Sequence, residues 1–323
     1  MSIEADLASA GWHLSPEGID LCCQGLNNPT LKDVTKRALD LDFKEVGRSC
    51  LPEDINRGRV ESLVGGMVLM VTKIRNVAAP KVKEESGAAP RMLKISLWIN
   101  TKYANRSEDR PDLEIMFVSG SSASDSGTVK RAQGLTDETF YKMYAPLRDK
   151  DSFSFLLMVT RPTSRGFIKL RSRNPFDKPI FEAGYFEHPH DIQVIVEGLK
   201  FCIAMTKTRA FRKYGAKVWE GRKMPGCEHL QLWSDEYLEC LARHYTNTIY
   251  HHSGSAKMGP ASDPEAVVDP RLRVYGVGGL RVVDASIMPT VPSGNTNAPT
   301  IMIGEKASDI IKQDWGWGGW SVV

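Results

Sequence analysis

The sequence predicts an α+β fold: strand-length runs occupy its middle third, helical periodicities take over after residue 188, and the two do not alternate as a parallel βαβ sheet demands. Residues 113–118 and 153–160 are apolar runs of strand length. Gly166-Phe167-Ile168-Lys169-Leu170-Arg171-Ser172 alternates apolar with basic or polar residues, the pattern of a half-exposed strand. Between the last two, Arg161-Pro162-Thr163-Ser164-Arg165-Gly166 has the composition of a hairpin connection, so an antiparallel pair is expected there. Behind Pro189, which suits a first turn because its missing N–H is not needed, Ile192, Ile195, Val196, Leu199, Cys202 and Ile203 recur at i, i+3, i+4, i+7 spacing. A second helix begins at Ser234, an N-cap type, with Asp235 and Glu236 in the dipole-favoured first turn and Leu238, Leu241 and Tyr245 on one face. A third is predicted over 299–312, with Ile303, Ala307, Ile310 and Ile311 inward and Asn295-Thr296-Asn297 ahead of it as capping residue types.

Residues 1–90 carry weaker signals: a mixed helical stretch at 31–41, and at 78–90 a run of small residues, charges and two prolines that reads as a linker. That sets a composition boundary near residue 90. It separates an unassigned region, 1–90, from a main body, 91–315, and a Trp- and Gly-rich tail, 316–323, is expected to do no chemistry.

At 323 residues the chain is long enough for one large domain or two ordinary ones. Its 42 Lys and Arg against 39 Asp and Glu leave +3, spread evenly, which argues against a nucleic-acid partner or a membrane-docking face. The longest nearly uncharged apolar run, 62–71, falls far short of the ~20 residues that span a bilayer. The opening Met1-Ser2-Ile3-Glu4-Ala5-Asp6 is acidic where a signal peptide is basic, so the sequence as it stands reads as cytoplasmic. Six cysteines without a C-x-x-C pair argue against a disulfide framework or a zinc ribbon, and the expectation is buried thiols. Asn105-Arg106-Ser107 fits the glycosylation acceptor pattern, which has meaning only in a secreted chain.

Several catalytic patterns are excluded. Gly276-Val277-Gly278-Gly279 imitates a dinucleotide fingerprint, but it joins two short strand-like runs and opens no helix, so it is a turn. No P-loop and no G-x-S-x-G elbow occurs, and neither His188-Pro189-His190 nor His251-His252 has partners at metal-ligand spacing. What stands out is Tyr250-His251-His252-Ser253-Gly254-Ser255-Ala256-Lys257-Met258-Gly259-Pro260, a small-residue loop able to bring imidazole and backbone close to a flat ligand. It is followed in order by Val267-Val268-Asp269-Pro270, Leu280-Arg281-Val282-Val283-Asp284-Ala285-Ser286 and Ser293-Gly294-Asn295-Thr296-Asn297-Ala298-Pro299-Thr300. Taken singly, Asp284 reads as a turn cap and Asn295 and Asn297 as helix caps.

Taken together, the stretch from His251 to Lys312 resembles the carboxyl-terminal signature of the glucose–methanol–choline (GMC) oxidoreductases, in particular the insect glucose-dehydrogenase-like branch. The resemblance extends back through Asn174-Pro175-Phe176-Asp177 and Ile99-Asn100-Thr101-Lys102-Tyr103-Ala104-Asn105, covering about 91–315. It implies a substrate domain built on an antiparallel sheet, with residues 250–312 facing an FAD, and oxidation of an alcohol or sugar CH–OH. By resemblance, His251 takes the family's active-site histidine position and Asn295 its second active-site position. Asp284 and Ala285, with Thr296, Asn297 and Ala298, fall on the cofactor-lining segments. A neutral imidazole suits removal of a hydroxyl proton, and an amide suits holding the substrate oxygen. His252 is expected to pack or hydrogen-bond near the ring.

The same resemblance exposes a departure. The family's FAD diphosphate rests on a G-x-G-x-x-G loop, and this sequence contains none. A separate FAD-binding domain is therefore an expected partner, beside a small alcohol or sugar substrate. The alternative is a non-catalytic remnant or binding protein that keeps the scaffold. The resemblance also implies that full-length insect members are often exported, so an extracellular location is open for a full-length relative.

Overall fold

The computed structural model describes residues 64–72 and 94–317, apart from 109, 124–129, 132 and 149. The helix expected at 31–41, the linker at 78–90 and the last residues of the tail lie outside the described residues. The chain forms two compact units that interleave along the sequence: 65–159 with 189–247, and 160–188 with 248–317.

The first unit is organised by a five-stranded sheet in the order β2-β3-β4-β1-β7. Its strands are β1 (Val64–Thr72), β2 (Lys94–Ile99), β3 (Leu113–Val118), β4 (Ser152–Val159) and, after the excursion through the second unit, β7 (Lys217–Val218). β3 pairs antiparallel with β2 (Ile99 opposite Leu113) and with β4 (Leu113 opposite Val159, Phe117 opposite Phe155). This register puts Leu113, Ile115 and Phe117 on one face with Val159, Leu157 and Phe155, because strand side chains alternate. That face packs against α2 (Pro189–Thr206), which begins at Pro189 and buries Ile192, Ile195, Val196, Leu199 and Cys202.

The approach is close enough to require a glycine in mid-helix. A Cβ at Gly198 would stand 2.7 Å from Leu157 Cδ2 and nearer still to Leu113 Cδ2. Phe153 and Phe155 are core residues, their rings 5.4 Å apart, and Phe153 also meets Phe211 of the short α3 (Arg209–Lys213) at 5.8 Å. α4 (Asp235–His244) lies against α2. Its cap is Ser234, whose hydroxyl accepts from the Tyr237 N–H at 3.2 Å, and Leu238, Leu241 and Tyr245 are buried as the periodicity predicts. α1 (Asp137–Met143) is capped in the same way by Thr136, a helix the sequence reading did not identify.

The second unit contains a two-stranded hairpin, β5 (Phe167–Lys169) with β6 (Ile180–Glu182), a long irregular segment, a 3₁₀ turn (Ala285–Ile287) and α5 (Asn297–Asp314). Val268, Leu272, Ile287, Met288, Ile303 and Ala307 form its core. Gly276-Val277-Gly278-Gly279 is a turn, with Gly276 and Gly279 at positive φ and the Val274 N–H donating to Leu280 O across it. Asp314, at the end of α5, accepts from both Arg271 and Arg281, which ties the helix terminus to the irregular segment. No helix among the described residues is long and apolar enough to cross a membrane.

Three expectations are corrected. The strand after residue 166 does not pair with β4: β4 takes β3 as its partner, while β5 belongs to the other unit and pairs with β6, since Pro162 and the following turn carry the chain away from the sheet. All three residues of β5 are exposed, where alternation predicted a half-buried strand. Ile311 is 38% exposed, because α5 buries only the narrower stripe of Ile303, Ala307 and Ile310. The thiol reading of the cysteines also fails in part. Cys227 and Cys240 form a disulfide, whereas Cys202 is a free, buried thiol whose pKa is pushed well up by desolvation.

Candidate active site

The residues that the sequence groups around His251 all belong to the second unit, so their geometry can be built within it. Tyr250 sits at φ 63°, in the left-handed region that a side chain enters only at a cost, and its N–H donates to Thr248 Oγ1 at 3.0 Å. This turn delivers His251. The following loop is held from behind: the Ala256 N–H donates to Ser286 O at 2.9 Å and the Met258 N–H to Ile287 O at 2.8 Å. Gly254 takes φ 86° where the chain passes Met288 O, a path that favours glycine.

The His251 ring is held at both nitrogens. Nε2 lies 2.7 Å from Asn295 Oδ1, and Nδ1 lies 2.8 Å from Thr296 Oγ1, with the Thr296 N–H a further 3.5 Å donor to Nδ1. Thr296 occupies the N-cap position of α5 yet makes no side-chain cap, because its hydroxyl is turned to the imidazole instead. It is buried, while Asn295, Asn297 and Ala298 are exposed around it. The first-turn N–H groups of Asn297 and Ala298 consequently lack the side-chain acceptor that helices ordinarily place there.

His252 points into a different set of contacts. Its Nε2 lies 3.3 Å from the Tyr185 hydroxyl and 3.5 Å from Thr248 Oγ1, and the Phe181 ring stands edge-on at 5.0 Å. Desolvation first, and the neighbouring His251 second, lower its pKa, so it stays neutral at neutral pH.

The arrangement therefore brings His251, Asn295 and Thr296 into direct hydrogen-bonding contact and sets Asn297 and Ala298 on the adjoining helical turn. Asp284 and Ala285 stand apart from this contact set. Asp284 caps the 3₁₀ turn, accepting the Ser286 N–H at 2.7 Å, and Ala285 packs on the core; their turn supports the His251 loop through the backbone of Ser286. Sequence reasoning missed Tyr185, Phe181 and Thr248 around His252, and it missed the bond from Thr296 to His251. Only Thr248, three residues ahead of His251, was near enough in sequence to signal itself. What the trio offers chemically is an imidazole that exchanges a proton at Nε2 beside an amide that orients an oxygen.

Residues 162–304 match the GMC oxidoreductase carboxyl-terminal family model. The chain is 41% identical over 216 residues to a Drosophila melanogaster glucose dehydrogenase [FAD, quinone], covering 67% of this chain and 32% of that protein. It is 46% identical over 152 residues to the human mitochondrial choline dehydrogenase, covering 47% and 24%. It thus spans about a third or less of the length of these relatives. Among solved structures, pyridoxine 4-oxidase from Mesorbium loti superposes with a TM-score of 0.53 at 21% identity, over 77% of this chain and 42% of that one. An Aspergillus oryzae formate oxidase gives 0.57 at 20%, over 79% and 47%. At that identity the superpositions speak for the α+β fold alone. With the ordered motifs, the matched residues and the fold in agreement, residues 162–304 are a GMC oxidoreductase carboxyl-terminal domain.

Proposed function

We propose that this chain supplies the substrate-binding and proton-accepting half of an FAD-dependent oxidoreductase that oxidises the CH–OH group of a small alcohol or sugar. One observation carries the reading: His251 Nε2 and Asn295 Oδ1 face each other at 2.7 Å, with Thr296 Oγ1 behind the ring at Nδ1. When bound, FAD supplies the hydride acceptor. The residues present fit its ring end: the uncapped N–H groups of Asn297 and Ala298 at the α5 N-terminus suit an electron-rich carbonyl edge, and the helix dipole reinforces them. Among the described residues no glycine-rich loop opens a helix to hold a diphosphate, so a flavin-binding domain is the partner this reading requires.

The chain's own residues divide the work. With Nε2 facing the Asn295 amide oxygen, the free ring carries its proton there. When a substrate hydroxyl displaces that amide, the ring proton passes through solvent to Nδ1, where Thr296 Oγ1 accepts it, and the bare Nε2 takes the hydroxyl proton. Asn295, released from the ring, turns its amide to the substrate oxygen and fixes its orientation. His252, kept neutral, does not oppose the charge that develops on His251. In this reading residues 91–315 form the substrate-binding domain, 250–312 its flavin-facing segment and 316–323 a tail outside it.

The test is anaerobic flavin reduction by an alcohol in the full-length protein, or in this chain combined with its flavin domain. His251→Ala should slow reduction about 10²–10⁴-fold while leaving flavin retention intact. An unchanged reduction rate with the flavin in place would overturn the assignment.

A further inference from the structure

The Cys227–Cys240 disulfide bears on a site outside the active-site unit altogether. A structural disulfide is rare in the reducing cytosol and ordinary in the secretory pathway. That supplies the condition under which Asn105-Arg106-Ser107 acquires meaning, since N-x-[ST] is an acceptor only in that pathway. We infer that this protein matures in an oxidising, secretory compartment and is N-glycosylated at Asn105.

The geometry of the loop supports the inference independently of the disulfide. Residues 100–112 leave the sheet between β2 and β3, and their base is clamped: the Thr101 N–H donates to Asp112 Oδ1 at 2.8 Å and its hydroxyl to Oδ2 at 2.6 Å, with both residues buried. Above this clamp Asn105 and Ser107 are exposed. Ser107 donates through its N–H at 3.2 Å and its hydroxyl at 2.8 Å to Asn105 Oδ1, so the acceptor side of the amide is engaged within the exposed tripeptide itself. Asn105 Nδ2 donates to the exposed Glu108 carboxylate at 3.0 Å. A glycosylated amide retains one N–H, so this bond survives modification, and no core residue has to move to admit a sugar.

The transfer balances without redox chemistry. Asn105 Nδ2 loses one hydrogen and bonds to the anomeric carbon of a lipid-linked oligosaccharide. The bond from that carbon to the lipid diphosphate breaks, the diphosphate leaves with the electron pair, and the proton passes to a base of the transferase.

The experiment is peptide mapping of the full-length protein isolated from the cells that make it, with thiols alkylated at lysis and half the sample treated with peptide N-glycanase in heavy-oxygen water. The expected result is a peptide with Asn105 converted to ¹⁸O-labelled Asp only after glycanase, and Cys227 and Cys240 linked and unalkylated. An unmodified Asn105 peptide overturns the site, whether the cysteines are linked or alkylated. In secretory expression, Asn105→Gln and Ser107→Ala should each abolish the glycanase-sensitive mobility shift, and Ser107→Thr should keep it. A shift that persists in Ser107→Ala, which leaves the amide in place, also overturns the assignment.

Discussion

Removing the Cys227–Cys240 crosslink is the perturbation whose size the structure fixes best. The two cysteines are 13 positions apart, and the bridge ties the irregular turn segment after Met224 to the middle of α4. Replacing both by alanine leaves no buried hydroxyl at Cys227, which is fully inaccessible. It also leaves the local hydrogen bonds in place, including the Met224 N–H to Tyr237 Oη at 3.1 Å and the Lys223 ammonium to Glu228 O at 2.9 Å. The effect then falls on the unfolded chain, which regains the freedom of a loop of this length. Chain-closure entropy puts that at about 3 kcal/mol. At ~2–4 °C per kcal/mol for a domain of this size, the melting midpoint should fall by roughly 6–12 °C. Urea unfolding of Cys227→Ala/Cys240→Ala, beside the wild-type protein with and without reductant, measures it. The double variant and the reduced wild type should agree, and reductant should do nothing further to the variant. A loss below about 0.5 kcal/mol, or a native protein whose Cys227 and Cys240 react as free thiols, would refute the reasoning.

Three further outcomes are expected. Gly198→Ala should destabilise the protein, because the overpacking cost of ~1–3 kcal/mol against Leu113 and Leu157 outweighs the ~1 kcal/mol that alanine gains in a helix; a raised melting midpoint would contradict the close approach of α2. Glu114, wholly buried on β3 with neither carboxylate oxygen in a sound hydrogen bond among the described residues, has its pKa raised to about 7 by burial, which the neighbouring Ser96 hydroxyl only partly offsets. The folded state thus binds this proton more tightly than the unfolded, and stability falls as pH climbs from about 4.5 through 7. Glu114→Gln should match wild type near pH 4 and exceed it by up to about 3 kcal/mol at pH 8.5, read from urea midpoints at both values. Thr296→Val removes the Nδ1 partner of His251 and should slow flavin reduction about tenfold or more, with the imidazole ¹⁵N shifts of His251 moving as its tautomer is released. Thr296→Ser should restore both, and unmoved shifts would show that the hydroxyl does not orient the ring.

How far the site was legible follows from where its partners sit. His251 and Asn295 stand in motifs that run in a fixed order, and so could be named from the sequence. The link from Thr296 to His251 could not, since it spans 45 positions and a threonine ahead of a helix reads first as a cap. Tyr185 and Phe181 are farther still from His252 in sequence and carry no motif that announces them. The disulfide was invisible for a related reason: its two cysteines lie on an irregular segment and a helix, and spacing alone does not say whether their side chains meet.

By itself the sequence determined what depends on neighbours within a few residues. The period of Ile192, Ile195, Val196 and Leu199 builds α2, Ser234 begins α4, and the apolar run at 153–160 can only be a buried strand. Which strands join was decided by the tertiary structure. The chain leaves the sheet after β4, so β5 finds β6 rather than the strand it follows, and α5 buries three of the four apolar residues offered to it. Pairing and burial are set by competition among distant surfaces for the same partners, and a local pattern states only what each surface is able to offer.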